Sequence, residues 1–230
     1  SILKFLEEPD SNVVAVFNTT NLNKVIPTIT SRCQVIKVNN IREKYGIDFV
    51  KEFLSENNID YVVTREPGSG DLGEKIRNIL LNYEGDIAPL SELLLYMADR
   101  AQHVEKIILP HLKEGKVVLC DRYIDSSVAY QGFARGLDIE QIKLLNKIST
   151  NNLIPDITFL FDIKTETAMT RVGSNKDRME KEGIEFHRKL SEGYRILAKE
   201  NPKRFIIIDA NKSVDDVKKQ TINELKKHLF

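Results

Sequence analysis

The chain has 230 residues, 41% of them hydrophobic, enough for a full core in one domain or in one domain plus an appendage. Its 34 Lys and Arg balance 34 Asp and Glu, which excludes an overall field that would gather nucleic acid or an anionic membrane, so any anion binding is local. Cys33 and Cys120 stand far apart without metal-ligand spacing, and ITFLFDI, the most apolar stretch, is far too short to span a bilayer. A reducing, cytoplasmic setting is expected, with no membrane and no direct nucleic acid partner.

Short β-branched or aromatic runs at 13–18, 34–38, 61–64, 117–120, 157–162 and 205–209 are strand candidates. Helical periodicity falls at 44–56, 72–81, 91–114, 139–150, 165–171, 185–199 and 214–229. Strands and helices alternate, and the strands are nearly all apolar, which predicts an α/β fold with a parallel sheet covered by helices on both faces. Ser213 with Asp216, and Asp138 after Gly136, read as capped helix starts. The rhythm changes near 39–42, which divides the chain into an amino-terminal segment, 1–41, and a main domain, 42–230.

In a parallel sheet, ligands bind beyond the carboxyl ends of the strands, so the residues that follow each strand carry most information. TREPGSGDLGEKIR follows the strand at 61–64, and its glycines allow close backbone approach at a helix N-terminus, although a lone PGSG is also an ordinary loop. Tyr96 and Arg100 are four residues apart and share a helical face, where a ring and a guanidinium can stack a base and bond its edge. Asp121 and Arg122 end the VVLC strand. The arginine can fork onto a phosphate, and the aspartate can hold hydrated magnesium or orient the arginine. Arg171, Lys176 and Arg178 cluster in RVGSNKDRME, a polar connection able to cover a transferring phosphoryl group or simply to be solvated.

Taken in order, TREPGSG with LGEKIR, LLYMADRAQH, DRYIDSSVAYQG, the Asn152–Asp156 lead into a strand, DRMEKEGIEFH and IIIDA resemble the successive signatures of the thymidylate kinases. The resemblance covers about three-quarters of the chain and implies a P-loop-kinase-like fold with a five-stranded parallel sheet. It also implies phosphoryl transfer from ATP to dTMP with magnesium, in a homodimer. By that resemblance Tyr96 stacks on thymine and Arg100 reaches its carbonyl edge, while Arg65 and Arg122 bear on the monophosphate. Asp121 stands at the reacting centre as catalytic group and metal ligand, and Ser126 and Tyr130 contact the nucleoside. Arg171, Lys176 and Arg178 belong to the family's lid.

That family opens with a strand and a GxxxxGK[ST] loop whose amides and lysine cradle the donor phosphates. At the equivalent place stands NNIREKYG, with no glycine before Lys44 and Tyr45 in the magnesium slot, so the strand and phosphate loop are expected to be replaced and Lys44 to be a surface residue. Residues 1–38 instead resemble the middle of a bacterial clamp-loader delta-prime subunit, through LEEP, the run ending in TTN, and SRC. Lys24 in NTTNLNKV imitates a phosphate-loop lysine, but Val25 offers no hydroxyl and Pro27 crowds the next turn. Beside the kinase stand a non-catalytic dTMP-binding or assembly protein, a clamp-loader-related interaction module, and a joined reading frame with no evolved function.

Overall fold

The structure, a computed structural model, describes residues 44–171 and 177–229. The expected segment 1–41, the strand candidates at 13–18 and 34–38, and Lys176 lie outside the described residues, as do the side chains of Lys44 and Arg171.

Helix α1 (Lys44–Glu56) carries KYGIDFVKEFLSE, which sets Phe49, Val50, Phe53 and Leu54 on one buried stripe. Strand β1 (Tyr61–Arg65) follows and pairs parallel with β2 (Val117–Asp121), from Tyr61 opposite Val117 to Arg65 opposite Asp121. Between them run α2 (Gly70–Asn82) and a long helical rod. The rod begins as α3 (Pro89–His103), widens to π geometry over Val104–Ile108, and ends as α4 (Leu109–Lys113). After β2 come the short α5 (Ile124–Ser127), a second π segment, Val128–Ala134, and α6 (Ile139–Thr150). Strand β3 (Thr158–Asp162) pairs parallel with β4 (Phe205–Asp209), with α7 (Thr165–Arg171) and α8 (Ile184–Glu200) between them; α9 (Val214–Leu229) closes the chain.

Side chains alternate across each strand, so one face carries Tyr61, Val117, Leu119, Phe159, Phe161 and Ile206. These pack beneath α1 and α9, against Val50, Phe53, Leu54, Leu225, Phe49 and Val217. The opposite face gives Leu160 and Phe205 to a larger core with Leu93, Met97, Val128, Ile142, Leu190 and Leu197. Helices therefore cover both faces of parallel strands, as the apolar strand text requires.

Among the described residues the strands form two parallel pairs, β1–β2 and β3–β4, and the continuous sheet of five is not seen there. Every residue of β2 and of β3 is half-buried despite the apolar sequences VVLCD and TFLFD.

The rod starts at Pro89, ahead of the expected 91, since proline fits the first helical turn. The stretch 124–134, to which the sequence reading assigns no element, is helical. Serines and Gly132 hide its periodicity, and burial of Val128 and Ala129 in the main core holds it. Both expected caps form: Asp138 Oδ1 accepts from Gln141 N at 2.8 Å, and Ser213 Oγ accepts from Asp216 N at 3.2 Å.

Candidate active site

The turn after β1 is held from beneath by a buried polar chain. Ser69 Oγ meets Thr64 Oγ1 at 2.5 Å, Thr64 Oγ1 meets His103 Nε2 at 2.6 Å, and His103 Nδ1 meets Glu66 Oε1 at 2.8 Å. Arg100 Nε then donates to Glu66 Oε2 at 2.8 Å. Every member is buried, so each bond is strong and each loss costly. Gly68 has φ +114, and a Cβ there would come within 2.7 Å of Arg77 Cδ, so the turn requires glycine. Arg77 Nη1 donates to Pro67 O at 2.8 Å and closes the turn onto α2.

Arg100 is 1% exposed although it carries a full charge. Its Nη1 donates to Ser127 Oγ at 2.9 Å and to Asn146 Oδ1 at 2.6 Å, and its Nη2 donates to Tyr123 O at a longer 3.2 Å. It thereby ties α3 to the segment after β2 and to α6. Its neighbour Asp99 accepts from Gly68 N at 3.2 Å through Oδ1, while Oδ2 is buried with no hydrogen-bond partner. Burial, then the charge of Glu66, pushes the Asp99 carboxyl up to about 6.

Beyond β2, Arg122 has φ +65, a conformation that costs a non-glycine residue roughly 1–2 kcal/mol. The Cys120 thiol donates to Arg122 O at 3.0 Å. The guanidinium donates to Tyr130 Oη at 2.8 Å and lies over that ring, 5.2 Å from its centroid. Ser126 Oγ meets Tyr194 Oη at 2.8 Å, and Asp125 forks onto Arg204 with contacts of 2.6 and 2.8 Å. The segment after β2 is thus pinned to α8 and to the start of β4. Burial raises the phenols of Tyr96 and Tyr194, so both stay neutral.

These pieces enclose one cavity. Arg65, Tyr96, Arg100, Asp121, Arg122, Ser126 and Tyr130, which the sequence singled out in three separate segments, all line it. Arg65 is exposed and pairs with Glu74 at 2.7 Å. Arg178 is not among the lining residues. It donates to Leu80 O at 2.8 Å and pairs with the buried Glu92. Arg171 and Lys176 cannot be placed, being outside the described side chains.

Several wall residues escaped the sequence reading: Glu66, Arg77, Gln131, Asp177, Met179 and His187. Arg77 and Gln131 lie inside quoted motifs but have no periodic signature. Glu66 looks like one more surface carboxylate until the fold buries it.

Asp121, one of the carboxylates that line the cavity, could hold a divalent cation. Among the described residues no three acidic, His or Cys side chains form a metal cluster. One carboxylate beside a phosphate fits magnesium, which keeps most of its waters and borrows oxygens from its substrate.

The family model described as thymidylate kinase matches residues 46–221, and that described as DNA polymerase III, delta subunit, matches residues 1–42. A thymidylate kinase of Thermoanaerobacter sp. (strain X514) is 48% identical over 80% of this chain and 91% of its own length. The thymidylate kinase of Lactobacillus acidophilus is 44% identical over 79% of this chain and 87% of its own, and that of Desulfovibrio desulfuricans 42% identical over 80% and 89%. Identity at this level over nearly all of the relatives' length, with a family model that spans every segment lining the cavity, makes the domain a kinase: the chain belongs to the thymidylate kinase family.

Proposed function

We propose that the cavity takes dTMP and that the domain is built to phosphorylate it to dTDP at the expense of ATP. The observation that carries this reading is the convergence of Arg65, Tyr96, Arg100, Arg122, Ser126 and Tyr130 on one hollow at the carboxyl ends of β1 and β2. Tyr96 offers its ring to the thymine. Arg100 offers Nη2, which is held by Glu66 at 2.8 Å and donates to Tyr123 O at a longer 3.2 Å, the contact easiest to share with a base carbonyl. Arg122 and Arg65 face the monophosphate, and Ser126 and Tyr130 the sugar.

In the reaction an oxygen of the monophosphate attacks the γ-phosphorus of ATP, the bond to the β-phosphate oxygen breaks, and ADP leaves with that electron pair. Arg122 orients the attacking phosphate and opposes its charge. Asp121 is the candidate magnesium ligand. Magnesium held there would supply positive charge against the charge that develops on the transferring phosphoryl group. Arg171 and Lys176 are assigned to the transferring group by the family resemblance, and Arg178 to the same segment.

A homodimer is supported by the apolar outer faces of α2 and α3, where Leu72, Ile79, Tyr83, Leu90 and Leu94 are exposed.

One sequence observation favours a second reading, a dTMP binder without turnover: NNIREKYG cannot present successive amides to the donor phosphates. Thermal shift tests the acceptor site. With dTMP at about 100 times its Kd, stabilisation of about 2.7 kcal/mol is expected, with little from ATP; an equal response to ATP would overturn the donor-poor reading. ADP release that depends on dTMP then separates kinase from binder. If neither nucleotide stabilises the protein, the acceptor assignment fails and the delta-subunit-like segment becomes the better guide.

A further inference from the structure

We propose that Glu92 is a positioning residue for the nucleotide cavity, a buried carboxylate that fastens the wall formed by residues 177–180 to the helix carrying Tyr96.

Glu92 sits in the first turn of α3, one turn before Tyr96 and two before Arg100, and is 0% exposed. A carboxylate taken wholly out of water is tolerable only when paired and hydrogen-bonded. Three partners come from three different places. Gln131 Nε2, from the second π segment, donates to Oε1 at 2.8 Å. Arg135, just past that segment, reaches both oxygens at 3.4 Å. Arg178 reaches Oε2 through Nη2.

Among the described residues, 177–183 form turns and no helix or strand. Met179 anchors them in the main core, and Arg178 ties them to the polar framework: its backbone N–H donates to Leu81 O at 3.2 Å, its Nε to Leu80 O at 2.8 Å, and its Nη2 to Glu92. Asp177, Met179 and Glu180, on either side of it, line the cavity, and so does Gln131. Arg135 adds a second tie from the same carboxylate, since its Nη1 also pairs with Glu182 at 2.6 Å. One buried anion therefore references three walls to one another: the helix of Tyr96, the segment of Gln131, and residues 177–180. Remove its charge, and Arg178 loses its counter-ion while Arg135 keeps only Glu182. The wall that carries Arg178 is then the one to move.

This inference rests on the reading that the cavity takes dTMP, and the test has one arm that does not. In the full chain without ligand, Glu92→Gln is expected to abolish the hydrogen-exchange protection of the Arg178 amide while the Leu119 and Leu160 amides keep theirs. In the second arm, calorimetry with dTMP is expected to show at least tenfold weaker binding for Glu92→Gln and for Arg178→Gln. The double variant should be no worse than either single one, because both break the same link. Glu92→Asp, which keeps the charge, should recover part of the loss. Unchanged protection at Arg178, a change in dTMP affinity within twofold, or additive losses in the double variant would each overturn the proposal. Should Glu92→Gln not fold, Arg178→Gln decides alone, since it leaves Glu92 paired with Arg135. If the unaltered chain takes no dTMP, the acceptor reading fails, while the amide arm still decides whether Glu92 fastens this wall.

Discussion

Arg122 is the residue at which function and stability pull in different directions. Its φ of +65 stores roughly 1–2 kcal/mol that a glycine would release, against a glycine entropy cost of roughly 0.5–1 kcal/mol. Arg122→Gly is therefore expected to leave unfolding stability within about 1 kcal/mol of the parent in urea titrations. Its dTMP affinity should fall on the order of 100-fold, since charged hydrogen bonds contribute about 1.5–3 kcal/mol each. A large loss of stability with unchanged affinity would show that the strained arginine serves the fold. Asp99 makes a different expectation, because burial raises its carboxyl to about 6 from an ordinary 3.8. Between those values the folded state keeps a proton that the unfolded chain has released, so stability falls as pH rises through the window and stays lower above it. Asp99→Asn should remove that slope, which over two pKa units is about 3 kcal/mol. If wild type and variant keep a constant stability difference from pH 3.5 to 7 in denaturant melts, Asp99 is not the responsible group. Neither feature was legible in advance. The Asp-Arg pair pointed to a phosphate ligand from its place at a strand end, but a positive φ and a buried orphan oxygen appear only when the chain is folded around them.

Among the elements, α8 shows how a helix that looks ordinary in sequence is fixed by one close approach. Gly193 lies where a Cβ would sit 2.7–2.8 Å from Phe133 Cβ, Cγ and Cδ2, so the ring has no flexible end to yield. Alanine would gain about 1 kcal/mol in helix propensity and lose about 1–3 kcal/mol to overpacking, so a net loss of stability is expected in Gly193→Ala. Because the next residue, Tyr194, holds Ser126, weaker dTMP binding should accompany the lower melting temperature. A stabilised variant would show that α8 slides at no cost. Element boundaries were legible wherever a cap marks them, as at Asp138 and Ser213. They were illegible at 124–134, where tertiary burial overrides weak local preference. The expectation that Arg178 sits in an open cationic loop met a different geometry, because its partner, Glu92, is 86 positions away in the chain and leaves no local trace.

For the whole molecule, alternation of strand and helix was enough to give the class, and the ordered motifs were enough to give the family. The number of strands was not available from periodicity, since an apolar run says only that a strand is buried and not which neighbours it has. The two strand pairs nevertheless share a roof. Phe159 and Ile222 pack in both of the clusters beneath α1 and α9, one reaching Tyr61 and Leu119 and the other Ile208 and Val217. Loosening either pair therefore strips contacts from the other, and neither can open as an independent foldon. Amides of Thr64 and Ile208 should then exchange through one common event of the same free energy, and heating should give a single cooperative transition with no plateau. Phe159→Ala is expected to lower that one transition by about 3–5 kcal/mol and leave it undivided.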